Sequence, residues 1–213
     1  MRAAVPDRLT RESVSVAARH LAERDSDLAG ILAEHGPPPL WQRPAGFATL
    51  FRIILEQQVS LASARSLCRR VTASLGAITP ERLDGAGESG LRALGLTRQK
   101  AAYSVDAARH VLDGRLDFRA LARMEDDAAR QMLMRVKGIG PWSADIYLLM
   151  ALRRPDVWPV GDLALVSAAR AVKKMRTEPS AARLERLCRG WRPYRAVAAR
   201  MLWQYYLARR RHS

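Results

Sequence analysis

Apolar residues recur at spacings of three and four positions along most of this chain, which is the pattern of an amphipathic α-helix. No segment of useful length shows the alternation of apolar and polar residues that is typical of a strand. Helix-start and helix-stop residues separate the periodic runs, for example Thr79-Pro80-Glu81 at a start and Gly114 at an end. The pattern predicts an all-α protein of many short helices. The periodic runs are residues 10–23, 46–57, 61–75, 98–112, 126–136, 142–153, 162–173, 181–190 and 194–209.

The order of these runs suggests two helical lobes. Pro37-Pro38-Pro39 is the clearest linker-like stretch, although it need not mark a domain boundary. Residues from about 60 to 150 form a contiguous set of helices, which we predict as a central lobe. The second lobe then combines residues 1–59 with residues 151–213. A chain of 213 residues that is 48% apolar can bury a real core, and we expect a cleft between the two lobes.

Charge points to the kind of partner. The formal net charge is +15, and only four of the 36 basic residues are lysines, so arginine carries nearly all of the positive charge. Such an excess predicts a polyanionic partner. A genome rich in arginine codons is the alternative explanation, so the charge alone does not identify DNA.

Cysteine and histidine usage bounds the chemistry. Cys68 and Cys188 lie far apart inside apolar helical patterns, so we expect reduced thiols and no disulfide. Two cysteines cannot hold a four-cysteine iron–sulfur cluster, and the four histidines lack metal-ligand spacing. No apolar stretch of about 18 residues and no signal-peptide-like region occurs. We therefore expect no transition-metal cofactor, no secretion and no membrane span.

A helix-hairpin-helix sequence at about residues 126–153 carries the candidate chemistry. Residues 133–144 read LMRVKGIGPWSA, and Asp162 follows 22 residues after Gly140. Gly138 and Gly140 permit positive φ and close approach of the backbone, so peptide N–H groups and the next helix N-terminus can face a phosphate. Hairpins of this kind also occur in DNA-binding proteins that only hold a phosphate. The Asp162 carboxylate adds a group that can take part in a reaction. The pair predicts that this chain binds DNA and performs chemistry on it.

Four blocks in this order resemble the helix-hairpin-helix DNA glycosylase superfamily, and within it the 3-methyladenine DNA glycosylase II branch. The resemblance extends from about Phe47 to Tyr206. We expect no β-rich amino-terminal domain of the kind that the longer members carry ahead of these blocks, so the resemblance is to the compact, all-helical members. Besides the hairpin, the blocks are IILEQQVS at residues 53–60, GLTRQKA at 95–101, and WRPYR at 191–195 leading to Trp203.

The resemblance implies a monofunctional DNA glycosylase of base excision repair. It would flip an N-alkylated purine of the 3-methyladenine or 7-methylguanine class out of duplex DNA and hydrolyse its glycosidic bond. Relatives that also cleave the strand carry a lysine two residues after the second hairpin glycine, where this chain has Trp142. Two alternatives stay open: a glycosylase for deaminated or oxidised bases, and a damage-binding protein without catalytic activity.

The resemblance also assigns residues to the reaction. Asp162 is the predicted catalytic group, which stabilises positive charge on the sugar and orients or deprotonates the attacking water. Its alternative role is to cap the helix that begins at Leu163. Trp142 and Trp203 match aromatic positions of the base pocket, with core packing as the alternative for each. Ile146 and Leu163 stand where better-known members carry aromatic rings, so we expect a less aromatic pocket.

The remaining predicted contacts concern DNA and a cation. Gln58 matches the position of the wedge that fills the gap left by the flipped base, with Gln57 beside it; both are otherwise polar residues at a helix end. Ser60 is either a minor-groove contact or a helix cap. The other predicted DNA-binding residues are Lys137, Gly138, Ile139, Gly140 and Trp142.

Backbone carbonyls of Met134, Val136 and Gly138 match the positions at which family hairpins hold a monovalent cation. We expect structural sodium or potassium there and no required cofactor. The expected partner is double-stranded DNA with alkylated bases. The protein is predicted to be a monomer in the cytoplasm, associated with the nucleoid.

Overall fold

The computed structural model describes residues 5–210, and these residues form helices, turns and loops without a strand. The predicted all-α class is confirmed. No helix in this part of the chain is long and apolar enough to cross a membrane. In chain order the helices are α1 (Arg11–Arg24), α2 (Ser26–His35), α3 (Phe47–Glu56), α4 (Leu61–Leu75), α5 (Pro80–Ala93), α6 (Arg98–Leu112), α7 (Phe118–Leu121), α8 (Asp126–Met134), α9 (Pro141–Met150), α10 (Leu163–Val172), α11 (Ala181–Arg189) and α12 (Arg195–Arg209).

Side-chain caps define most helix starts. A serine, threonine or aspartate oxygen accepts a hydrogen bond from a backbone N–H of the first turn, which satisfies a donor that the helix leaves unpaired. Thr10 and Ser13 form a reciprocal capping box at the start of α1. Capping by such a side chain occurs at Thr10, Asp25, Ser60, Thr79, Thr97, Asp117, Asp162 and Ser180.

Three helices were not among the predicted runs, namely α2, α5 and α7. Helix α5 contains three glycines and kinks at Gly87 (φ 62°), and glycines are poor helix formers, so the sequence gives only a weak helix signal here. Helix α7 has only four residues, which is too short for a periodic signal. Asp25 ends α1 and caps α2 at once, which hides the boundary between the two helices.

Helices α3 to α9 lie in one compact unit, Arg43–Ala151, which we call the hairpin unit. Its core includes the apolar face of α3, where Leu50, Phe51 and Ile54 are fully buried. Helix α3 packs against α4, α6 and α9. The prediction that assigned residues up to 59 to the other lobe is therefore wrong for α3, because its buried face belongs to this core.

The described residues up to Gln42 and from Leu152 onward form the second compact unit, the terminal unit. Helix α12 is its centre and packs against α1, α2 and α10. Alanines in its first half let these neighbours approach closely, and every residue from Ala196 to Trp203 is buried. Among them, the Arg200 guanidinium donates to the carbonyl oxygens of Leu40 and Ala196, both at 2.9 Å. Its charge is thus buried together with hydrogen-bond acceptors.

Candidate functional site

The loop between α8 and α9 is held by its own apolar residues. Val136 and Ile139 are buried, and the Ile139 N–H donates to the Val136 carbonyl at 3.1 Å. The backbone N–H of Lys137 donates to Oδ2 of Asp106 on α6 at 2.8 Å, while the Lys137 side chain is exposed. The hairpin therefore has a fixed backbone and presents a lysine to solvent.

The two hairpin glycines differ in conformation. Gly138 has φ 82°, and a Cβ added there would lie 2.1 Å from a ring carbon of Tyr103. Gly140 has φ −90° and ψ −179°, an extended conformation, and no heavy atom lies within 4 Å of a Cβ built there. The expectation of positive φ thus holds at Gly138 only. Within the described residues, the N–H groups of Gly138 and Gly140 donate to no acceptor, which leaves them available to an anion.

The two adjacent glutamines have separate positions. The Gln57 side-chain amide donates to the Gly138 carbonyl at 2.9 Å and to Oγ of Ser143 at 3.0 Å, so it ties the end of α3 to the hairpin. Gln58 is exposed, and its backbone takes φ 57°. Residues other than glycine adopt this conformation at an energetic cost. Gln57 is thus half-buried with its amide bonded to the hairpin, whereas Gln58 is exposed.

Both sides of this glutamine turn are anchored. Buried Lys100 donates from Nζ to the Leu55 carbonyl in the last turn of α3 at 2.6 Å, and burial lowers the pKa of its ammonium. On the other side, Oγ of Ser60 accepts from the Ser63 N–H at 3.1 Å. The structure shows the capping role of Ser60, and its contact with DNA stays a prediction. The GLTRQKA block contains Lys100, but no sequence signal indicated its contact with α3.

Helix α9 carries two of the candidate pocket residues, Trp142 and Ile146. Trp142 is half-buried in its first turn, and Ile146 is 4% exposed one turn later. Between them, the buried Asp145 carboxylate accepts from Nε of Arg130 on α8 at 2.7 Å. This ion pair was not predicted, since the two residues belong to different helices. It gives Asp145 a structural partner inside the unit.

Asp162 lies in the terminal unit and is the N-cap of α10. Its Oδ1 accepts from the Leu165 N–H at 2.9 Å and from Nε1–H of Trp203 at 3.1 Å. The preceding Gly161 takes φ 82°, which turns the chain into the helix. The capping role is confirmed, while the catalytic role stays a prediction. Two donors and the positive end of the α10 dipole fix a negative charge at this position.

The side chains around this carboxylate differ in exposure. Trp203 is 9% exposed, and its ring contacts Trp41 edge to face with centroids 6.4 Å apart. Leu163, directly after the carboxylate, is 82% exposed. Trp41 is half-buried with φ 45°, and sequence reasoning missed it because it lies outside every motif block. A tryptophan in a proline-rich, non-periodic segment was the available signal.

Positive charge concentrates along a groove between α3 and α4 in the hairpin unit. Arg43 forms a bidentate pair with Glu56, with both contacts at 2.9 Å. Arg52, Arg65 and Arg69 are exposed along the same groove, whose cavity volume is about 750 Å³.

Within the described residues, no group of three or more His, Cys, Asp or Glu side chains could hold a metal ion.

Comparison with known proteins identifies the family. The family described as HhH-GPD superfamily base excision DNA repair protein matches residues 51–193, which is more than half of the chain. The chain belongs to this superfamily. Among its relatives is YfjP of Bacillus subtilis, which is named a putative DNA-3-methyladenine glycosylase. It is 27% identical to this chain over 187 residues. That alignment covers 84% of this chain and 65% of YfjP, so the chain spans just under two thirds of that relative.

Solved structures agree with the superfamily assignment. The DNA-3-methyladenine glycosidase of Bacillus halodurans is 30% identical, with a TM-score of 0.78 and coverage of 89% of this chain and 88% of that chain. The 3-methyladenine DNA glycosylase of Schizosaccharomyces pombe in complex with abasic DNA has a TM-score of 0.81 at 22% identity, covering 89% and 95%. The second likeness shows the fold alone. The predicted resemblance to helix-hairpin-helix DNA glycosylases is confirmed.

Proposed function

We propose that this chain is a monofunctional DNA glycosylase that releases N-alkylated purines from duplex DNA in base excision repair. The observation that carries the proposal is the Asp162 carboxylate, fixed at the start of α10 by the Leu165 N–H and by Nε1–H of Trp203 in a member of the HhH-GPD superfamily. The names of the relatives, DNA-3-methyladenine glycosylase and glycosidase, support the alkylated-base substrate class.

The chemistry requires a fixed negative charge and little else. As the glycosidic bond breaks, positive charge develops on the anomeric carbon and ring oxygen of the sugar, and a preorganised carboxylate stabilises it. The same carboxylate orients or deprotonates the water that adds to the anomeric carbon. An N-alkylated purine leaves as a neutral base, so no general acid is needed. One aspartate held in place by Trp203 and by its own helix is sufficient for this reaction.

The hairpin unit supplies groups for the DNA backbone. Three features of the hairpin are suited to bind phosphate. They are the free N–H groups of Gly138 and Gly140, the N-terminus of α9 and the exposed Lys137 side chain. Gln58 is the candidate wedge, since the Gln57 amide is already bonded within the unit. The monomeric state and the cytoplasmic, nucleoid-associated location stay predictions.

A monovalent cation at the hairpin is a further part of the proposal. The Val136 and Gly138 carbonyls accept hydrogen bonds from Ile139 and Gln57, and each keeps a second lone pair for a cation. Sodium or potassium held by these oxygens and by the Met134 carbonyl would supply positive charge beside a DNA phosphate. Replacing both ions by tetramethylammonium at constant ionic strength should weaken binding to abasic DNA.

Base release from methylated DNA tests the activity. Wild-type protein should release 3-methyladenine and 7-methylguanine, measured by chromatography, and Asp162→Asn should reduce the rate at least about 100-fold. Asparagine is also a good N-cap, so this variant should fold and still bind abasic DNA. Asp117→Asn, at the N-cap of α7, is the matched control and should leave the rate unchanged.

The outcomes separate the alternatives. Unchanged release by Asp162→Asn would remove the catalytic role of this residue. Tight binding to abasic DNA without release from any lesion would favour a damage-binding protein. Borohydride should trap no covalent adduct between protein and DNA, because Trp142 stands where a Schiff-base lysine would be required; efficient trapping would exclude monofunctional hydrolysis.

A further inference from the structure

One face of helix α6 lies against the hairpin. Gln99, Tyr103 and Asp106 follow one another at spacings of four and three residues, so their side chains project from the same side of the helix. Oδ2 of Asp106 accepts from the Lys137 N–H at 2.8 Å, and the Tyr103 ring covers Gly138, where an added Cβ would lie 2.1 Å from a ring carbon. Tyr103 is therefore fixed directly beside a hairpin residue whose N–H is free.

The Tyr103 hydroxyl has an unused donor. A phenolic hydroxyl donates one hydrogen bond and also accepts. Nε2 of Gln99 donates to this oxygen at 2.6 Å, which occupies the acceptor side and orients the hydroxyl proton away from the amide. Within the described residues, the hydroxyl itself donates to no acceptor. Tyr103 is half-buried and Gln99 is exposed, so a ligand can reach this proton.

The surroundings of this hydroxyl favour an anion. Gln99 lies in the first turn of α6, where the helix dipole is positive, and the neighbouring Arg98 is exposed. The Tyr103 ring contacts Gly138, and the Lys137 side chain next to that glycine is exposed. A hydroxyl that donates to an ionised oxygen forms a shorter and stronger hydrogen bond than one that donates to a neutral group. These features together suit a phosphate.

The Asp106 carboxylate is a negative group on the same face, and it limits where the anion can bind. It accepts from the Lys137 N–H and lies 3.3 Å from Nδ1 of His110. Asp106 follows Tyr103 along α6, whereas Gln99 precedes it by one turn. An anion at the Tyr103 hydroxyl is therefore expected on the Gln99 side of the ring, away from this carboxylate.

We propose that the Tyr103 hydroxyl, oriented by Gln99, binds a phosphate of the DNA backbone next to the hairpin. This inference rests on the proposed function, because it adds a ligand to the DNA-binding surface of the same protein. It assigns Tyr103 no part in base release. A hydroxyl bound to phosphate reads no base, so the contact positions the duplex whatever its sequence.

Removal of one oxygen atom tests the inference. Tyr103→Phe keeps the ring that covers Gly138 and should weaken binding to a duplex with a tetrahydrofuran abasic analogue by about 5- to 20-fold, as measured by fluorescence anisotropy. Because the hydroxyl is uncharged, the slope of log K against log salt concentration should not change. Lys137→Gln, which removes a charge, should reduce the steepness of that slope by about 0.9.

A second tyrosine provides the matched control. Tyr206 on α12 is also half-buried, and its hydroxyl also accepts from a side chain four residues away, Nη1 of Arg210 at 3.5 Å. Tyr206→Phe should leave the affinity unchanged. Circular dichroism and thermal unfolding establish that each variant is folded. Unchanged affinity of Tyr103→Phe would overturn the inference.

A double-mutant cycle tests the role of Gln99. Gln99→Leu removes the amide that orients the hydroxyl, so it should weaken binding less than Tyr103→Phe does. In the Tyr103→Phe background, the same Gln99→Leu change should have no further effect, because the oriented proton is already absent. Independent, additive losses would show that Gln99 does not act through Tyr103 and would overturn the proposed pair.

Substituted DNA locates the contact. Single phosphates of the abasic duplex are replaced one at a time by uncharged methylphosphonate, and each duplex is bound to wild-type protein and to Tyr103→Phe. At one phosphate near the lesion, the replacement should weaken the wild type and abolish the difference between the two proteins. If the difference persists at every position, the loss in Tyr103→Phe is structural and the inference fails.

Base release is measured separately on methylated DNA. If Tyr103→Phe loses affinity at one phosphate but wild-type protein releases no base, the proposed activity fails while the inference stands. If wild-type protein releases base and Tyr103→Phe binds DNA as tightly as the wild type, the activity stands and the inference fails.

Discussion

The hairpin loop and the Asp162 turn lie in different units, and each leads into the N-terminus of a helix. They differ in whether a side chain caps that helix. Helix α9 in the hairpin unit begins at Gly140 without a side-chain cap, so its first N–H groups have no acceptor from a capping residue. Helix α10 in the terminal unit begins at Asp162, whose carboxylate caps it. An open N-terminus attracts an external anion, whereas a capped one holds an internal anion in place. The same local structure thus suits phosphate binding in one unit and charge stabilisation in the other.

The loops also differ in how closely they are enclosed. Gly138 and Gly161 have the same φ of 82°, so both need a glycine-like turn. A Cβ on Gly138 would meet the Tyr103 ring, whereas nothing lies within 4 Å of a Cβ on Gly161. Val160 and Leu163, which flank the carboxylate turn, are 52% and 82% exposed. The hairpin is a packed backbone turn, and the carboxylate turn is open with apolar residues on its surface.

The largest expected effect comes from filling the enclosed turn. Gly138→Ala should lower the free energy of unfolding by about 3 kcal/mol, because it combines positive-φ strain with a clash against Tyr103. Gly161→Ala has the same strain without the clash and should cost only about 1 kcal/mol. Urea unfolding of both variants measures the difference. Equal losses would show that Tyr103 moves aside and that the hairpin is not enclosed.

Whether a feature could be predicted from sequence depends on how far apart in the chain its interacting residues lie. The hairpin glycines, the helix caps and Asp162 depend on residues a few positions apart, so their patterns could be found in the chain. Gln57 bonds to Gly138 across 81 residues, and Leu40 bonds to Arg200 across 160. The first contact holds the half-buried Gln57 amide against the hairpin, and the second fixes the backbone next to Trp41. Long-range packing of this kind leaves no local pattern, which is why the contact of Gln57 with the hairpin and the position of Trp41 were not predicted.

A second prediction converts the open N-terminus into a capped one. Gly140 has an extended backbone and an empty Cβ position, so Gly140→Asp should fit and change the free energy of unfolding by only a few tenths of a kcal/mol. Its carboxylate would occupy the α9 N-terminus, as Asp162 does at α10. Affinity for abasic DNA, measured by fluorescence anisotropy, should fall at least about tenfold, since the new charge repels phosphate and competes for the same donors.

The asparagine variant separates charge from capping. Gly140→Asn supplies the same hydrogen-bond acceptor without charge and should retain more of the affinity than Gly140→Asp. Raising the salt concentration should bring the two variants closer together, because screening reduces the repulsion. If Gly140→Asp binds abasic DNA as tightly as the wild type, the α9 N-terminus is not a phosphate site.

The smallest expected effect tests how the internal anion is held. Trp203→Phe keeps an aromatic ring but removes the Nε1–H donor to Oδ1 of Asp162, while the cap to Leu165 remains. The carboxylate should then be less well oriented, and the rate of base release should fall about fivefold. Trp191→Phe is the matched control in the same unit, because it removes an equivalent donor to Oδ2 of Asp25. Both variants should lose stability, but only Trp203→Phe should slow release. Equal rates in the two variants would mean that the helix cap alone orients Asp162, and the difference between the two helix N-termini would then depend on the cap and not on the tryptophan.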